Sequence, residues 1–421
     1  MAEAALGLVL AYLALTVVRL SLAVSHLRAG ERDEAPVAEV TVLQAIRSGD
    51  PLMPAMLAEN AASLARAHLV WLVDVDDPAG VEAARGAAAA ATGRVDVVLT
   101  PPPGAGVNPK VAKLVIGLGL CGPLVAVLDD DTVLPPGALG RAVAALGGGD
   151  LVTGVPVYRE HGGWWSRLVA AFVNGSSVAT YPTLARLGDP VTINGMFSVT
   201  RRTVLEGLGG FAAIQDRVCD DYELALLFRR AGLRIVQSPV VVAVGTTVAG
   251  PRAYLRIMRR WMIFATQVVR ADLGLAMALL VLLPSVLPLV ALVLAVASHR
   301  PAAVGVVVLA CLVKAGLTAL VRRSHPPAPW SLAGLVPEVV ADLLTPLHVL
   351  GSAVGSRTVA WRDRSVVVPR DAGPPQGTAR AAGSRASRPP STSPRRRRRP
   401  RRGSPGRAPC TTATCHRTSS R

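Results

Sequence analysis

Cysteine and lysine are both scarce in this chain of 421 residues. The five cysteines lack any close-paired metal spacing, so we expect free thiols and a reducing compartment for the main part of the chain. Only three lysines occur beside abundant alanine, arginine, glycine and proline, a bias typical of a GC-rich bacterial genome. The composition therefore favours neither a disulfide framework nor a cysteine-based metal site.

Acidic residues are nearly absent from residues 371–421, which hold 13 arginines and a single acid. This segment supplies most of the net charge of +17, so the folded part is only weakly basic and we expect no binding to nucleic acid. The proline, serine and arginine bias predicts disorder over residues 370–421. The run 395–399 could contact anionic lipid headgroups, or the whole tail could be an unconstrained terminus.

Charge is also missing from a long stretch near the N-terminus. Residues 4–24 are apolar over about the length of a membrane span, interrupted only by Arg19, whose side chain could extend to the membrane interface. A signal peptide is the alternative, but a positive start and a clean cleavage site are lacking. We therefore predict an uncleaved transmembrane anchor over residues 1–26.

Residues 271–356 contain three further apolar segments and form the predicted C-terminal membrane region. Residues 273–298 and 301–321 are long enough to span a bilayer, and two arginines directly after the second predict a cytoplasmic side. Residues 332–354 carry two acids, so they form either a third span or an interfacial or re-entrant helix. We expect an integral protein of the bacterial inner membrane.

Between these apolar ends, residues 37–270 alternate between strand-like and helix-like segments. The predicted strands include 37–46, 68–75, 94–99 and 124–128. This rhythm predicts an α/β domain with a mostly parallel sheet, in which ligands bind at the C-terminal ends of the strands.

Three aspartates, Asp129, Asp130 and Asp131, directly follow the last of these strands. Strand side chains alternate, so an Asp-x-Asp pair can project two carboxylates to one side. Such oxygen ligands suit a divalent cation, Mg²⁺ or Mn²⁺, which also bridges phosphates. A solvated turn is the structural alternative, so this motif alone leaves metal binding open.

Asp76 and Asp77 end the second predicted strand and can contact the base or ribose of a nucleotide. Asp77 precedes a proline and can equally cap the next helix. The two roles are compatible.

Asp220 and Asp221 open a predicted helix over residues 222–231, where the helix dipole favours acids. Asp220 could be only a cap. Asp221, at the mouth of the helix, could lie close to an acceptor hydroxyl and act as a general base.

Arg256, Arg259, Arg260 and Trp261 lie just before the first C-terminal apolar segment. An interfacial anchor with positive-inside charge explains such a patch. A guanidinium beside a leaving diphosphate would instead stabilise developing negative charge. Both functions stay open for this patch.

In their order and spacing, these motifs resemble family 2-type inverting glycosyltransferases, in particular the ceramide glucosyltransferase-like group, family 21, which includes bacterial hopanoid-associated glycosyltransferases. The resemblance covers about residues 37–270 and the apolar segments on both sides. It implies a GT-A fold, a nucleotide-sugar donor and a divalent cation. The matching stretches are residues 48–51, 75–78, 106–110, 128–132, 193–196, 209–211, 220–222 and 260–261.

The resemblance also implies a role for each matching residue. The nucleotide-sugar contacts it implies are Asp76, Asp77, Asn108, Lys110, Asp129 and Asp130. The implied metal ligands are Asp129 and Asp131, and the implied acceptor side is formed by Asn194, Gly195 and Asp220. Asp221 resembles the catalytic base, and Arg260 with Trp261 resembles the end of the family's Gln/Arg-x-x-Arg-Trp motif.

One position departs from that last motif. Its first residue falls on Ile257, and Arg256 lies one residue early. Either a local shift of the helix lets Arg256 serve, or this contact is missing, which leaves the donor-closing role of the motif open.

We therefore expect a membrane-bound enzyme, with its catalytic domain in the cytoplasm, that transfers a sugar from a UDP-sugar to a lipid hydroxyl with inversion. The lipid could be of the ceramide, hopanoid or diacylglycerol type. A processive polysaccharide synthase is the alternative enzyme, for which the membrane part is small. A catalytically inactive membrane scaffold with the same fold is the alternative of another class, and the intact aspartates argue against it.

Overall fold

The structure, a computed structural model, describes residues 1–29, 34–104, 106–323, 332–354, 358–361 and 364–367. The C-terminal tail for which the sequence predicts disorder, residues 370–421, lies outside this described part. Eight strands form one large sheet, and two short strands near the C-terminus form a hairpin. The strands are β1 (Val40–Ile46), β2 (His68–Asp74), β3 (Arg94–Thr100), β4 (Leu124–Leu128), β5 (Thr132–Val133), β6 (Leu151–Tyr158), β7 (Phe197–Arg201), β8 (Ile235–Val244), β9 (Thr358–Trp361) and β10 (Arg364–Val367).

The strand order in the large sheet is β3-β2-β1-β4-β7-β6-β8-β5. The first four strands of this order run parallel to one another, and so do β6 and β8. β7 is antiparallel to both β4 and β6, and the short β5 is antiparallel to β8 at the edge. The predicted α/β class with a mostly parallel sheet is confirmed, and the parallel half brings the C-terminal ends of β1, β2 and β4 to one edge.

Helices cover both faces of the sheet because side chains alternate along each strand. Val42 packs in a layer with the helices Met53–Ser63, Pro78–Ala89 and Ala138–Ala145, whereas the next residue, Leu43, packs in the opposite layer with the helices Pro109–Leu118, Arg202–Gly207 and Asp220–Arg230. The helices are α1 (Ala2–Ala29), α2 (Met53–Ser63), α3 (Pro78–Ala89), α4 (Pro109–Leu118), α5 (Ala138–Ala145), α6 (Trp164–Leu187), α7 (Arg202–Gly207), α8 (Asp220–Arg230), α9 (Pro251–Asp272), α10 (Leu275–Ala297), α11 (Pro301–Arg323) and α12 (Leu332–Val354).

Four helices are long and apolar enough to cross a membrane: α1, α10, α11 and, within α12, residues Gly334–Ser352. They pack on one another although α1 is separated from the others by the whole α/β part of the chain. Val9 and Tyr12 of α1 belong to one buried cluster with Ala295 of α10 and Cys311 of α11. These apolar helices indicate a membrane protein and confirm the predicted arrangement of apolar helices at both ends.

The two acids of α12 are paired inside this bundle. Asp342 accepts a hydrogen bond from Lys314 at 2.8 Å, and Glu338 forms an ion pair with Arg322. Each charge of α12 therefore has an opposite charge on α11, which removes the main physical objection to α12 as a span.

Arg19 does not extend away from its helix, although its place near the end of an apolar run allowed this. Its side chain is buried, and one guanidinium nitrogen donates a hydrogen bond to Thr180 of α6 at 2.6 Å. The interpretation of an outward-reaching Arg19 is wrong because α6, which the apolar pattern of α1 could not reveal, packs against this side of the helix.

Candidate active site

A cavity of about 1100 Å³ lies at the C-terminal ends of β1, β2 and β4 and continues between α6, α9 and the apolar helices α10 and α12. Most residues that the sequence predicts for the site line this cavity, although more than 180 positions separate the first from the last. They are Asp76, Lys110, Asp129, Asp130, Asp131, Asn194, Gly195, Asp220, Asp221, Arg260 and Trp261. The fold therefore brings most of the predicted site residues to one place.

The three aspartates after β4 have different partners. Asp130 accepts a hydrogen bond from the backbone N–H of Arg47 at 2.8 Å, which holds it toward the end of β1. Asp131 accepts hydrogen bonds from the hydroxyls of Thr246 at 3.1 Å and Thr132 at 3.2 Å. Asp130 and Asp131 lie in a turn after β4 and not on a strand, so the turn and not strand alternation places their side chains. Among the described residues, the side chains of Asp129 and Asp131 accept no hydrogen bond from a backbone N–H.

Burial and crowding raise the pKa of two of these carboxyl groups. Burial raises the pKa of Asp131 to about 7, and the charges of Asp129 and Asp130 add to this effect. Burial also raises the pKa of Asp129 to about 6, although the Lys110 ammonium works in the opposite direction. Neighbouring carboxylates that repel one another in this way are suited to share a divalent cation.

The residues present fit such a cation. Among the described residues no group of three or more metal-binding side chains stands together. Mg²⁺ is commonly held by one or two carboxylates together with substrate phosphates rather than by a cage made wholly of protein. Asp129 and Asp131 would supply those carboxylates, and the cavity beside them leaves space for a diphosphate.

Lys110 joins three parts of the site. Its ammonium group lies 2.6 Å from Asp129 and 2.9 Å from Asp220, and it donates to the backbone carbonyl of Gly195 at 3.2 Å. Burial lowers its pKa, but Asp129 and Asp220 outweigh that effect and raise the pKa well above its usual value. Lys110 is therefore charged and compensates two carboxylates that would otherwise repel each other.

Asp221 lies in the first turn of α8, where the helix dipole favours its charge. Its Oδ1 accepts hydrogen bonds from the Tyr222 backbone N–H at 2.8 Å and from the Cys219 thiol at 2.9 Å. Burial, followed by the Asp220 charge, raises the pKa of Asp221. A β-carbon at position 195 would lie 2.7 Å from its other oxygen, so Gly195 leaves the space that this carboxylate occupies.

Asp77 and Asn108 do not line the cavity and instead cap helices. Asp77 accepts hydrogen bonds from the backbone N–H groups of Ser48 at 2.7 Å and Gly80 at 3.1 Å, at the start of α3. Asn108 accepts from the backbone N–H of Lys110 at 3.0 Å, at the start of α4. Their predicted contacts with the nucleotide sugar stay predictions, while the geometry gives both residues a role in holding the loops that border the site.

Sequence reasoning missed two basic residues beside the predicted nucleotide end of the cavity. Arg47, directly after β1, pairs with Asp74 at 3.3 Å and Asp76 at 3.1 Å. The buried Lys113 of α4 pairs with Asp74 at 2.8 Å and donates to the carbonyl of Ile46 at 2.7 Å. The position of Arg47 at a strand end could have indicated it, but nothing in the sequence marks Lys113, one turn into a helix, as a site residue.

The aromatic ring of Trp261 is held between two others. It packs edge-on against Tyr158 and is stacked on Phe172, with ring centroids 6.1 Å apart in each case. On the same helix, Ile257 lines the cavity, whereas Arg256 is exposed and does not. α9 is a regular helix here, so no local shift brings Arg256 to the position that the family motif would fill.

The remaining wall of the cavity comes from the membrane helices and is mainly apolar. α10 and α12 contribute residues including Leu282, Leu289 and Val349. The same cavity thus joins the carboxylates and cations of the α/β domain to a mainly apolar wall of membrane helices, within which Arg19, Lys314 and Asp342 are the charged residues. A polar substrate and an apolar substrate can meet in it.

An α/β domain with acids converging at the ends of parallel strands, joined to helices that could span a membrane, is the architecture of a membrane-associated glycosyltransferase. The model of the protein family Glycosyl transferase family 21 matches residues 3–372. The chain therefore belongs to this family and is a glycosyltransferase, as the motifs indicated, and with the mixed sheet this confirms the predicted GT-A type of fold. No curated protein sequence matches the chain.

Solved structures show more distant similarity. A mannosyltransferase from Pyrobaculum calidifontis in complex with GDP-Man and Mn²⁺ is 17% identical, with 84% of this chain and 98% of that chain covered and a TM-score of 0.47. GalNAc-T7 with UDP, GalNAc and Mn²⁺ is 13% identical, with 58% and 52% covered and a TM-score of 0.37. A mycobacterial protein is 19% identical, with 60% and 79% covered and a TM-score of 0.31.

Proposed function

We propose that this glycosyltransferase transfers a sugar from a nucleotide diphosphate sugar, a UDP-sugar, to the hydroxyl group of a membrane lipid, with inversion at the anomeric carbon. The observation that carries the proposal is the single cavity that joins the acids of the α/β domain to the apolar wall of α10 and α12. A lipid can enter such a cavity from the bilayer and a nucleotide sugar from water. The catalytic part would then face the cytoplasm, where nucleotide sugars are made.

Asp221 is the proposed general base. A lipid hydroxyl beside it loses its proton to the carboxylate while the hydroxyl oxygen attacks the anomeric carbon. The bond from that carbon to the diphosphate oxygen breaks on the opposite face, which gives inversion. The raised pKa of Asp221 makes it a better proton acceptor than an ordinary aspartate, provided that it is ionised at the working pH.

The donor end of the cavity would bind the nucleotide diphosphate. Asp129 and Asp131 would hold Mg²⁺ or Mn²⁺, which supplies positive charge to the diphosphate when bound. Lys110 and Arg260 line the same cavity and would stabilise the negative charge that develops on the leaving UDP. Asp76, at the other side of this end, is the proposed contact for the ribose or base.

The experiment compares lipid extracts from cells that express the wild-type protein, Asp221→Asn or Glu223→Gln. General-base assistance is typically worth about 10²–10⁴-fold, so mass spectrometry should find a new glycolipid with the wild type and almost none with Asp221→Asn. Glu223 lies in the same turn of α8 but does not line the cavity, so Glu223→Gln should leave the product unchanged.

Calorimetry of UDP binding with Mg²⁺ or Mn²⁺ should show that Asp221→Asn still binds the nucleotide. A glycolipid made equally well by Asp221→Asn would remove the proposed base. A sugar polymer as product would favour a polysaccharide synthase, and a wild type that binds no nucleotide would favour an inactive scaffold.

A further inference from the structure

The bundle of α1, α11 and α12 contains more positive than negative charge in the part that the structure describes. Five charged side chains are buried or partly buried there: Arg19, Lys314, Arg322, Glu338 and Asp342. Three of them are cations and two are carboxylates. The charges of these five side chains therefore sum to +1 in an apolar environment.

Both carboxylates already have a cation as partner, although the second oxygen of Glu338 has no hydrogen-bond partner among the described residues. Lys314 donates to one oxygen of Asp342 at 2.8 Å, and Tyr12 donates to the other at 3.1 Å. Glu338 pairs with Arg322. The excess cation is therefore Arg19, because the charge of Asp342 acts on it only at longer range and its side-chain hydrogen bond goes to the neutral hydroxyl of Thr180 at 2.6 Å.

The neighbouring elements supply no further acid. Neither α6, which packs against Arg19, nor α10 contains an aspartate or a glutamate. A buried cation without an anion is costly, and such residues inside membrane helices usually face a ligand, an ion path or a water-filled cavity. Arg19 and Lys314 both line the cavity that also contains Asp221.

Helix α6 connects this cation to the proposed base. Thr180 holds the Arg19 guanidinium, and the next residue, Tyr181, lines the cavity close enough to Asp221 for the charges to interact, since burial and then the Asp221 charge raise the pKa of Tyr181. Arg19, Thr180, Tyr181 and Asp221 therefore all line one continuous cavity.

We propose that the acceptor lipid carries an acidic group, such as a phosphate, which pairs with Arg19 while its hydroxyl lies at Asp221. This rests on the proposed transfer to a lipid hydroxyl and narrows it from neutral lipids to acidic ones. Arg19 acts as a specificity-determining residue because an acidic headgroup neutralises its charge and a neutral one leaves it unpaired.

The test separates a total membrane-lipid extract into acidic and neutral fractions and offers each to the purified full-length protein in phosphatidylcholine vesicles, with the donor sugar labelled. The wild type should glycosylate the acidic fraction. Arg19→Gln should lower kcat/KM for that fraction by roughly tenfold to a hundredfold, the scale of a hydrogen bond to a charged group. Arg19→Lys, which keeps the charge, should retain most of the activity.

Arg28→Gln is the matched control, since Arg28 lies on the same helix but is exposed and outside the cavity. It should behave as the wild type. Product from the neutral fraction alone, or an equal loss of activity in Arg19→Gln and Arg19→Lys, would overturn the assignment. Stimulation of transfer to neutral lipid by added inorganic phosphate would assign the subsite to a free anion and would also overturn it.

A binding measurement keeps this inference separable from the proposed function. Native mass spectrometry of protein purified with phosphatidylglycerol should show retained lipid for the wild type and Arg19→Lys but not for Arg19→Gln. Retention by all three variants would contradict the Arg19 subsite. If the wild type glycosylates neither fraction, the proposed function fails, and the retention pattern alone decides whether Arg19 binds an acidic lipid.

Discussion

Lys110 shows how much of this site depends on single charges. It stands between Asp129 and Asp220, which would repel each other without it, and it also contacts the loop at Gly195. The acids of the proposed donor and acceptor sides therefore share one cation. A change in either acid is expected to alter the other side through Lys110.

Burial of Asp221, followed by the charge of Asp220, should set the acid limit of activity. The proposed base Asp221 works as a carboxylate, so kcat/KM should fall as the pH drops through its raised pKa. Asp220 is one cause of that raised pKa, so Asp220→Asn should lower it and move the acid limb of the pH profile to lower pH. Profiles of kcat/KM against pH for the wild type and Asp220→Asn measure this directly.

Glu223→Gln removes a neighbouring acid of α8 that faces away from the cavity and should leave the acid limb in place. An acid limb that stays fixed in Asp220→Asn, or moves to higher pH, would mean that another group controls the profile.

Asp131→Asn should change activity and stability in opposite directions. Loss of a proposed cation ligand should raise the Mn²⁺ concentration needed for half-maximal activity and lower kcat/KM by about 10²-fold, the lower end of what a positioned charge contributes. Without cation, the same change relieves repulsion among the three aspartates, and the raised pKa of Asp131 means that its ionised form destabilises the fold at pH 8, so the free energy of unfolding in EDTA at pH 8 should rise by about 1 kcal/mol. Cation titrations and unfolding in detergent measure the two effects, and an unchanged Mn²⁺ requirement would exclude Asp131 as a ligand.

At the scale of elements, the turn before β7 positions the proposed base through a glycine. Gly195 has a φ of +77°, and Asn194 fixes the turn by accepting a hydrogen bond from the Met196 backbone N–H at 3.0 Å. The carboxylate of Asp221, from the start of α8, fills the space where a side chain at position 195 would lie. The turn before β7 and the start of α8 thus meet at a position where a side chain would not fit.

Gly195→Ala should therefore lower kcat at least tenfold by displacing Asp221, in addition to a strain of roughly 1–2 kcal/mol from the left-handed backbone. Gly232 is the matched control, because it has a φ of +73° and a β-carbon added there would meet no atom within 4 Å. Gly232→Ala should show the same loss of stability with normal kcat. Equal kcat values for the two variants would mean that Gly195 acts only through its backbone conformation.

At the scale of the whole molecule, buried charges help to hold the membrane helices together. Lys314 of α11 contacts Asp342 of α12, which also accepts from Tyr12 of α1, so one carboxylate links the N-terminal helix to the C-terminal ones. This link joins residues from the two ends of the chain.

Lys314→Met should lower the free energy of unfolding by about 3–5 kcal/mol, because it leaves the Asp342 carboxylate buried without its cation. Adding Asp342→Asn should recover much of that loss, since the second change removes the unpaired charge. The free energy of unfolding in detergent micelles is measured for both single variants and for the double variant, which gives a double-mutant cycle. Arg323→Gln, on the exposed side of α11, is the control. Additive losses in the double variant would mean that the two residues do not stabilise each other.

The sequence by itself determined the α/β class, the apolar helices and the aspartates at strand ends, because hydrophobic periods and strand-end positions are local properties of the chain. Leu124–Leu128 is a strand with the bounds that its apolar run predicts. Only the tertiary structure decided that Asp77 and Asn108 cap helices, that Lys113 is buried beside Asp74, and that Arg19 lines the cavity. Those outcomes depend on which distant elements pack together. The residues that come into contact are tens to hundreds of positions apart in the chain, and no local sequence pattern reveals such a contact.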